Sequence, residues 1–273
     1  MITSLFHYGF IIRGFEAGIV ISAIAPMIGM FLVLRRYALM ADTLSHVSFA
    51  GVAIGLLLGL NPLITAIAAA IFAAVSLERL RIKKLVYGDA ALSLFLSGSL
   101  ALATVLISVA NGFNANLFTY LFGSILTVRT EDVTIIATLG IITATILVLL
   151  YKELVYVSFD EEAAQVSGLP TKALNIVFIA LAAVTIALAI PIVGILLVSA
   201  LMVIPVVTAL QLKRSFKETL IIAEVVSIVS TMAGIVISFV FNLSPSGTIV
   251  LFMLAIFSLI VLFRQLQGSS KKQ

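Results

Sequence analysis

The sequence predicts an all-α polytopic membrane protein with eight to nine transmembrane helices and one short helix in a cytoplasmic loop. Three observations carry this. The 273 residues are 62% hydrophobic and only 10% charged, which is more apolar surface than a soluble core can hide. Nine stretches, roughly 15–34, 39–60, 62–77, 90–110, 133–151, 173–190, 192–212, 219–241 and 248–263, are apolar enough to cross at about 17–25 residues each, some a little short. If all nine cross, every one of the 16 basic residues except Arg13 and Arg129 falls on one side. By the positive-inside rule that side is the cytoplasm, which puts the amino terminus outside and the carboxyl terminus inside.

Composition also excludes. There is no cysteine, which removes disulfides, thiolate metal sites and lipid-anchored cysteine. No Gly-x-x-x-x-Gly-Lys-Ser/Thr run occurs, so an ATP-driven process needs another subunit to hold the nucleotide. The net charge of +4 lies in clusters between apolar segments, where it orients the chain in lipid and is no sign of nucleic-acid binding.

The chain reads as one transmembrane unit over 1–273. Residues 1–14 show no cleavage site and read as an outer-surface tail or helix; His7 lies there, poorly placed for a pathway. Arg35 and Arg36 close the first segment, and an eight-span arrangement would lose a crossing there or divide another differently. Between the fourth and fifth spans, 117–128 is apolar but too short to cross. It reads as a re-entrant or interfacial helix on the outer side, approached by Asn111, Asn114 and Asn116. Pro191 and Gly194 separate the sixth and seventh spans by almost nothing, and Pro205 lies inside the seventh, so broken or kinked helices are expected. Residues 264–273 form a basic cytoplasmic tail.

Ionisable residues at membrane depth are costly and usually face a partner or an aqueous path. Asp42 and His46 are four apart, so a helix stacks them on one face. If that helix starts near Tyr37, they lie ~8 Å and ~14 Å along its axis. A carboxylate with an imidazole is a donor set for a divalent first-row metal. The bland alternative has Asp42 capping a helix or pairing with Arg35 or Arg36, and His46 hydrogen-bonded to a neighbouring helix. Thr43 and Ser45 are candidates to orient the pair through hydrogen bonds. With one intramembrane histidine per chain, two copies about a two-fold axis would be needed to offer four ligands.

Gly51, Gly55 and Gly59 form a small-residue stripe on another face of the same helix, suited to close helix packing. Glu224 is the remaining intramembrane acid, a second carboxylate near the inner mouth or a residue that snorkels or pairs across helices. Asp89 and Glu78 lie at span ends beside basic residues and read as neutralising them. The run from Asp160 to Pro170 reads as a short capped helix in a cytoplasmic loop, with Asp160 as N-cap, Glu161 and Glu162 in the first turn, and Gly168 as terminator.

The run Leu39-Met-Ala-Asp-Thr-Leu-Ser-His-Val-Ser-Phe-Ala-Gly-Val-Ala-Ile-Gly resembles the signature near the start of the membrane subunits of bacterial zinc and manganese ABC importers. Tyr120-Leu-Phe-Gly-Ser-Ile-Leu, Ser158-Phe-Asp-Glu-Glu-Ala-Ala-Gln-Val-Ser-Gly, Gly194-Ile-Leu-Leu-Val-Ser-Ala-Leu-Met-Val-Ile-Pro and Ser244-Pro-Ser-Gly extend the resemblance in order over nearly the whole chain. It implies a homodimeric permease in the bacterial cytoplasmic membrane, itself no enzyme, with ATP bound by two cytoplasmic ATPase subunits and metal delivered by an extracytoplasmic metal-binding lipoprotein. It further implies that Asp42 and His46 line the metal path. The helix at 160–168 is then a coupling helix that docks on the ATPase, with Ala163 and Ala164 as its small contact face.

Zn²⁺ is the leading cargo, since Asp-Thr-Leu-Ser-His looks nearer to zinc-type members, with Mn²⁺ next. A proton-coupled secondary transporter using Asp42, His46 and Glu224 as a relay is the competing reading, and it leaves the capped helix unexplained. An intramembrane metalloenzyme is disfavoured by the absence of His-Glu-x-x-His.

Overall fold

A chain crossing lipid must satisfy its backbone polar groups within each segment, and helices do so. The computed structural model describes residues 9–83, 88–109, 115–124 and 128–270, excepting the side chains of 88, 115–118 and 267–270. Among these residues the secondary structure is helical throughout. The order is α1 Gly9–Leu34, α2 Ala38–Leu58, α3 Pro62–Ile82, α4 Gly88–Val109, α5 Ala115–Phe122, α6 Thr130–Leu149, α7 Tyr151–Phe159, α8 Glu161–Val166, α9 Thr171–Val193, α10 Val198–Leu210, α11 Phe216–Phe241 and α12 Pro245–Ser270.

Eight of these helices are long and apolar enough to span: α1 to α4, α6, α9, α11 and α12. The expected seventh span is different. Only Val198–Leu210 is helical there, about 20 Å at 1.5 Å per residue, shorter than the ~30 Å hydrocarbon layer. The cause is local. Gly194 leaves α9 with a φ of 74°, and residues 194–197 form turns before the helix resumes. Two boundaries also move. Helix α1 begins at Gly9, so residues 9–14 belong to the first span and not to a tail. Helix α12 runs to Ser270, so 264–270 continue that helix. His7, Asn111 and Asn114 lie outside the described residues.

Helix α9 is the hub, packing on α1, α2, α3, α5, α6 and α10. Its sequence is apolar all round, and Ala182, Ala183, Ile186, Ala187, Leu188, Ala189 and Ile190 are all buried; an all-round apolar helix belongs at the centre of a bundle. Helices α4, α6 and α12 lie outermost and expose Leu94, Val105, Ile141, Leu149, Leu251 and Phe263. In a membrane those faces meet lipid.

Contacts between segments distant in sequence fix the two ends of the bundle. At one end Arg13 at the start of α1 donates to the Val128 carbonyl, and Ser246 donates to the Phe122 carbonyl. There the irregular segment after α5 is pinned to the break after α9. Ser124 N–H donates to the Pro191 carbonyl at 3.1 Å, and Ile195 N–H to the Tyr120 carbonyl at 3.0 Å. Such pairing is how irregular backbone survives at membrane depth. The segment requires glycine: Gly123 has a φ of 69°, and a Cβ there would collide with the Ile192 carbonyl. At the opposite end Arg35 reaches Ser158 and Asn175, and Phe216 packs at tilted or edge-on angles against Phe31, Tyr151 and Phe159. Helices α9 and α10 therefore leave from and return to the same basic end.

Candidate functional site

Helix α2 presents three faces with different duties. Toward α3, a Cβ on Gly51 would lie 2.6 Å from the Thr65 carbonyl oxygen and 2.8 Å from Ala66 Cα, and one on Gly55 would lie 2.9 Å from Pro62 Cα. Only glycine allows so close an approach. Gly59 is not part of that contact. It ends the helix in the left-handed region at a φ of 68°, and nothing lies within 4 Å of where its Cβ would be; the four-residue spacing reflects packing at two positions and a C-cap at the third. Toward α4, Thr43 donates to the carbonyls of Leu39 and Leu92.

The third face carries Asp42 and His46. Both are partly buried. Leu39, three residues before Asp42 and seven before His46, is 59% exposed, while Phe49 and Ala53 beyond the pair are buried. Exposure along the face falls from Leu39 through the half-buried Asp42 and His46 to the buried Phe49 and Ala53. Asp42 is not the N-cap of α2, which is Tyr37. Neither ion pair among the described residues involves Asp42. His46 Nδ1 is buried with no hydrogen-bond partner, a costly condition for a ring nitrogen. The bland alternatives for both residues thus find no support. Ser45 and Thr43 do not orient the pair: Ser45 donates to the Ala41 carbonyl at 2.8 Å and Thr43 is turned to α4.

Among the described residues no three His, Asp or Glu side chains converge on one point. Glu224 therefore does not join Asp42 and His46. It is partly buried on α11, a helix that packs on α1, α10 and α12. One copy offers a carboxylate and an imidazole, which is half of a four-coordinate set.

The loop helix α8 is built as its sequence implies. Asp160 Oδ1 accepts from Ala163 N–H at 2.8 Å. At the other end Leu169 N–H donates to the Ala164 carbonyl and Gly168 N–H to the Gln165 carbonyl, each at 3.1 Å, with Gly168 at a φ of 86°; this is a complete Schellman motif. The faces differ from expectation. Ala164 is fully buried within the chain, packed with Val157, Leu174 and Leu169, so it holds α8 down and offers nothing to a partner. The outward side is Glu161, Glu162, Gln165 and Val166, with Ala163 partly covered. Val166 is 90% exposed, an isolated apolar side chain on a charged helix.

Glu78 neutralises a basic neighbour, Arg81, as its place in the sequence implies, but sequence reasoning missed the wider cluster at the foot of α2. Glu78 is fully buried and makes a two-pronged pair with Arg81 at 2.7 and 2.9 Å. Arg81 also donates to the Tyr37 hydroxyl and approaches Glu161 Oε1 at 3.4 Å. Arg35 lies over the Phe178 ring at 4.7 Å and donates to Ser158 Oγ at 2.8 Å and Asn175 Oδ1 at 2.7 Å. Burial pushes the Arg35 pKa down and the Tyr37 pKa up, opposed by nearby charges of opposite sign. Asn175, a lone amide between Leu174 and Ile176 in an apolar span, was the signal available. Asp89 is exposed, and neither ion pair among the described residues includes it.

A model of the ABC 3 transport family matches residues 7–264. A Treponema pallidum protein named "probable metal transport system membrane protein" is 38% identical, covering 96% of this chain and 98% of its own. The Listeria monocytogenes manganese transport system membrane protein MntC is 32% identical over 97% and 94%. The Haemophilus influenzae high-affinity zinc uptake system membrane protein ZnuB is 30% identical over 88% and 94%. A solved structure described as "PsaBC from Streptococcus pneumoniae in complex with Fab" superposes with a TM-score of 0.82 at 30% identity, covering 95% of each chain.

Proposed function

The chain belongs to the ABC 3 transport family, and from that premise we propose that it is the membrane permease of an importer carrying a divalent transition metal into the cytoplasm. Two copies of the permease would bring two Asp42–His46 pairs to a shared path. ATP hydrolysis in cytoplasmic ATPase subunits would drive the cycle through α8, and an extracytoplasmic metal-binding lipoprotein would supply the metal. The observation that carries this reading is the third face of α2. It holds a carboxylate and an imidazole in the membrane, and among the described residues His46 Nδ1 has no partner and Asp42 no ion pair. Groups left unsatisfied at that depth suit a ligand that comes and goes.

The two donors suit Zn²⁺ and Mn²⁺ alike. The identities of 32% to a manganese-named relative and 30% to a zinc-named one do not rank the two metals. Zn²⁺ and Mn²⁺ are therefore the two cargoes to compare. The basic end, where Arg35, Arg81 and Lys213 gather, faces the cytoplasm in this reading. A secondary transporter with a three-residue proton relay is less well supported, because Glu224 stands apart from the pair.

The test is uptake of radioactive zinc and manganese into liposomes holding the permease and its ATPase. ATP-dependent accumulation of one metal supports the proposal, and accumulation on a proton gradient without the ATPase overturns it. The pairing of copies is checked by Leu39→Cys, which should cross-link two permeases in a chain with no other cysteine. Monomer alone under oxidising conditions counts against a shared path.

A further inference from the structure

The hydrogen-bond cluster at the basic end converges on one oxygen. Glu161 Oε1, on the first residue of α8, accepts from Asn175 Nδ2 at 2.6 Å and from Arg81 at 3.4 Å. From Asn175 the chain of contacts continues through Oδ1 to Arg35 at 2.7 Å. From Arg81 it continues to the Tyr37 hydroxyl. Arg35 and Tyr37 are the two ends of the turn between α1 and α2, and Arg36 between them sits in the left-handed region at a φ of 59°, a conformation that disfavours a side chain. Asp42 lies about 6 Å further along α2, four residues past its first residue. Both ends of this turn are thus tethered to the loop helix.

The ion pair at this junction contributes little to stability. The Arg81–Glu161 contact is half exposed, with Glu161 at 45%, and exposed ion pairs add little to folding. Arg81 already has Glu78 as its close partner. What Glu161 adds is position: it joins α8 to α3, α9 and the α1–α2 turn at one point. Rigid helices joined by hydrogen-bonded groups can carry a displacement from one to the next.

We propose that Glu161 is a positioning residue, the junction through which α8 moves the α1–α2 turn and so the helix bearing Asp42 and His46. This rests on the importer reading given above. The experiment uses the permease with its ATPase in liposomes and compares metal uptake with ATP hydrolysis for wild type and Glu161→Gln. Glutamine can still accept from Asn175 but carries no charge for Arg81. The expected result is an ATPase that stays bound and hydrolyses within about twofold of wild type, with metal taken up per ATP reduced at least tenfold. Arg81→Lys is the second variant. It keeps the positive charge beside Glu78 but lacks the fork that reaches Tyr37 and Glu161 together, and it should show the same split. Combining the two should lower the ratio by no more than another twofold.

A wild-type uptake-to-hydrolysis ratio in either folded variant overturns the junction. So does a parallel fall of uptake and hydrolysis, which would make Glu161 a docking contact only. If wild type itself shows no ATP-dependent uptake, the importer reading fails and the junction falls with it.

Discussion

Two clusters of ionisable residues lie within a few turns of each other on and below α2, and they are built in opposite ways. At the foot of the helix Glu78, Arg81, Tyr37, Glu161, Asn175 and Arg35 satisfy one another, with Glu78 fully buried against Arg81. One to two turns up, Asp42 has no ion pair among the described residues and His46 leaves a buried nitrogen unpartnered. A polar group within lipid is retained either because the fold uses it or because a ligand does. The first cluster is held together by its own contacts. The second is the pair that the proposed function gives to a passing ligand.

The sharpest way to break this comparison is to remove one partner of the satisfied pair. Arg81→Ala leaves the Glu78 carboxylate buried without a counter-charge, and breaking a buried pair in this way costs about 3–5 kcal/mol. The expected outcome is loss of folded permease, seen as a large drop in the thermal midpoint in detergent. An unchanged midpoint would mean that Glu78 finds water, and the cluster would then be no more structural than the pair above it.

A smaller effect is expected on the packing face. Gly51→Val places side-chain atoms where the Thr65 carbonyl and Ala66 Cα already sit, and overpacking costs about 1–3 kcal/mol. The same change at Gly59 has no such neighbours and strains only the left-handed cap. The two midpoints measured side by side separate packing from capping within one apparent stripe. Gly168→Ala is milder, because its Cβ meets nothing within 4 Å; the cost is the positive φ, about 1 kcal/mol. It should lower the midpoint slightly and reduce ATPase retention more.

What the sequence could reveal follows the same division. Spans were legible because lipid demands long apolar runs, and Gly194 announced the break that shortens α10, whereas Pro191 and Pro205 lie inside continuous helices. The caps of α8 were legible because N-caps and left-handed terminators are local chemistry. Residue contacts between distant segments were not. Ala163 and Ala164 are equivalent in sequence, yet tertiary packing against Val157 and Leu174 takes Ala164 out of reach of any partner. Glu161 reads as a first-turn acid, and only the arrival of Asn175 and Arg81 from α9 and α3 makes it a junction. Asp42 and His46 stood out early, since four-residue spacing alone places them on one face. Their separation from Glu224 required the bundle itself.

The smallest expected change in stability carries the largest functional contrast. Asp42→Ala and His46→Ala remove side chains that are partly buried and that make no ion pair among the described residues. Substitutions that break no such contact usually shift stability by no more than about 0.5 kcal/mol. His46→Ala even removes the unpartnered Nδ1, so the melting midpoint should match or slightly exceed wild type. Yet each variant takes one donor from every copy. A two-copy path would go from four protein donors to two, and uptake of Zn²⁺ or Mn²⁺ should fall at least tenfold while insertion, dimer formation and ATPase binding persist. Asp42→Asn sharpens the test, because it keeps size and hydrogen bonding and removes only the charge that a divalent ion needs. Uptake by Asp42→Asn at the wild-type rate would show that charge at this position is idle. A destabilised His46→Ala with normal uptake by the remaining folded protein would place His46 with the structural cluster instead, and the contrast between the two regions would collapse.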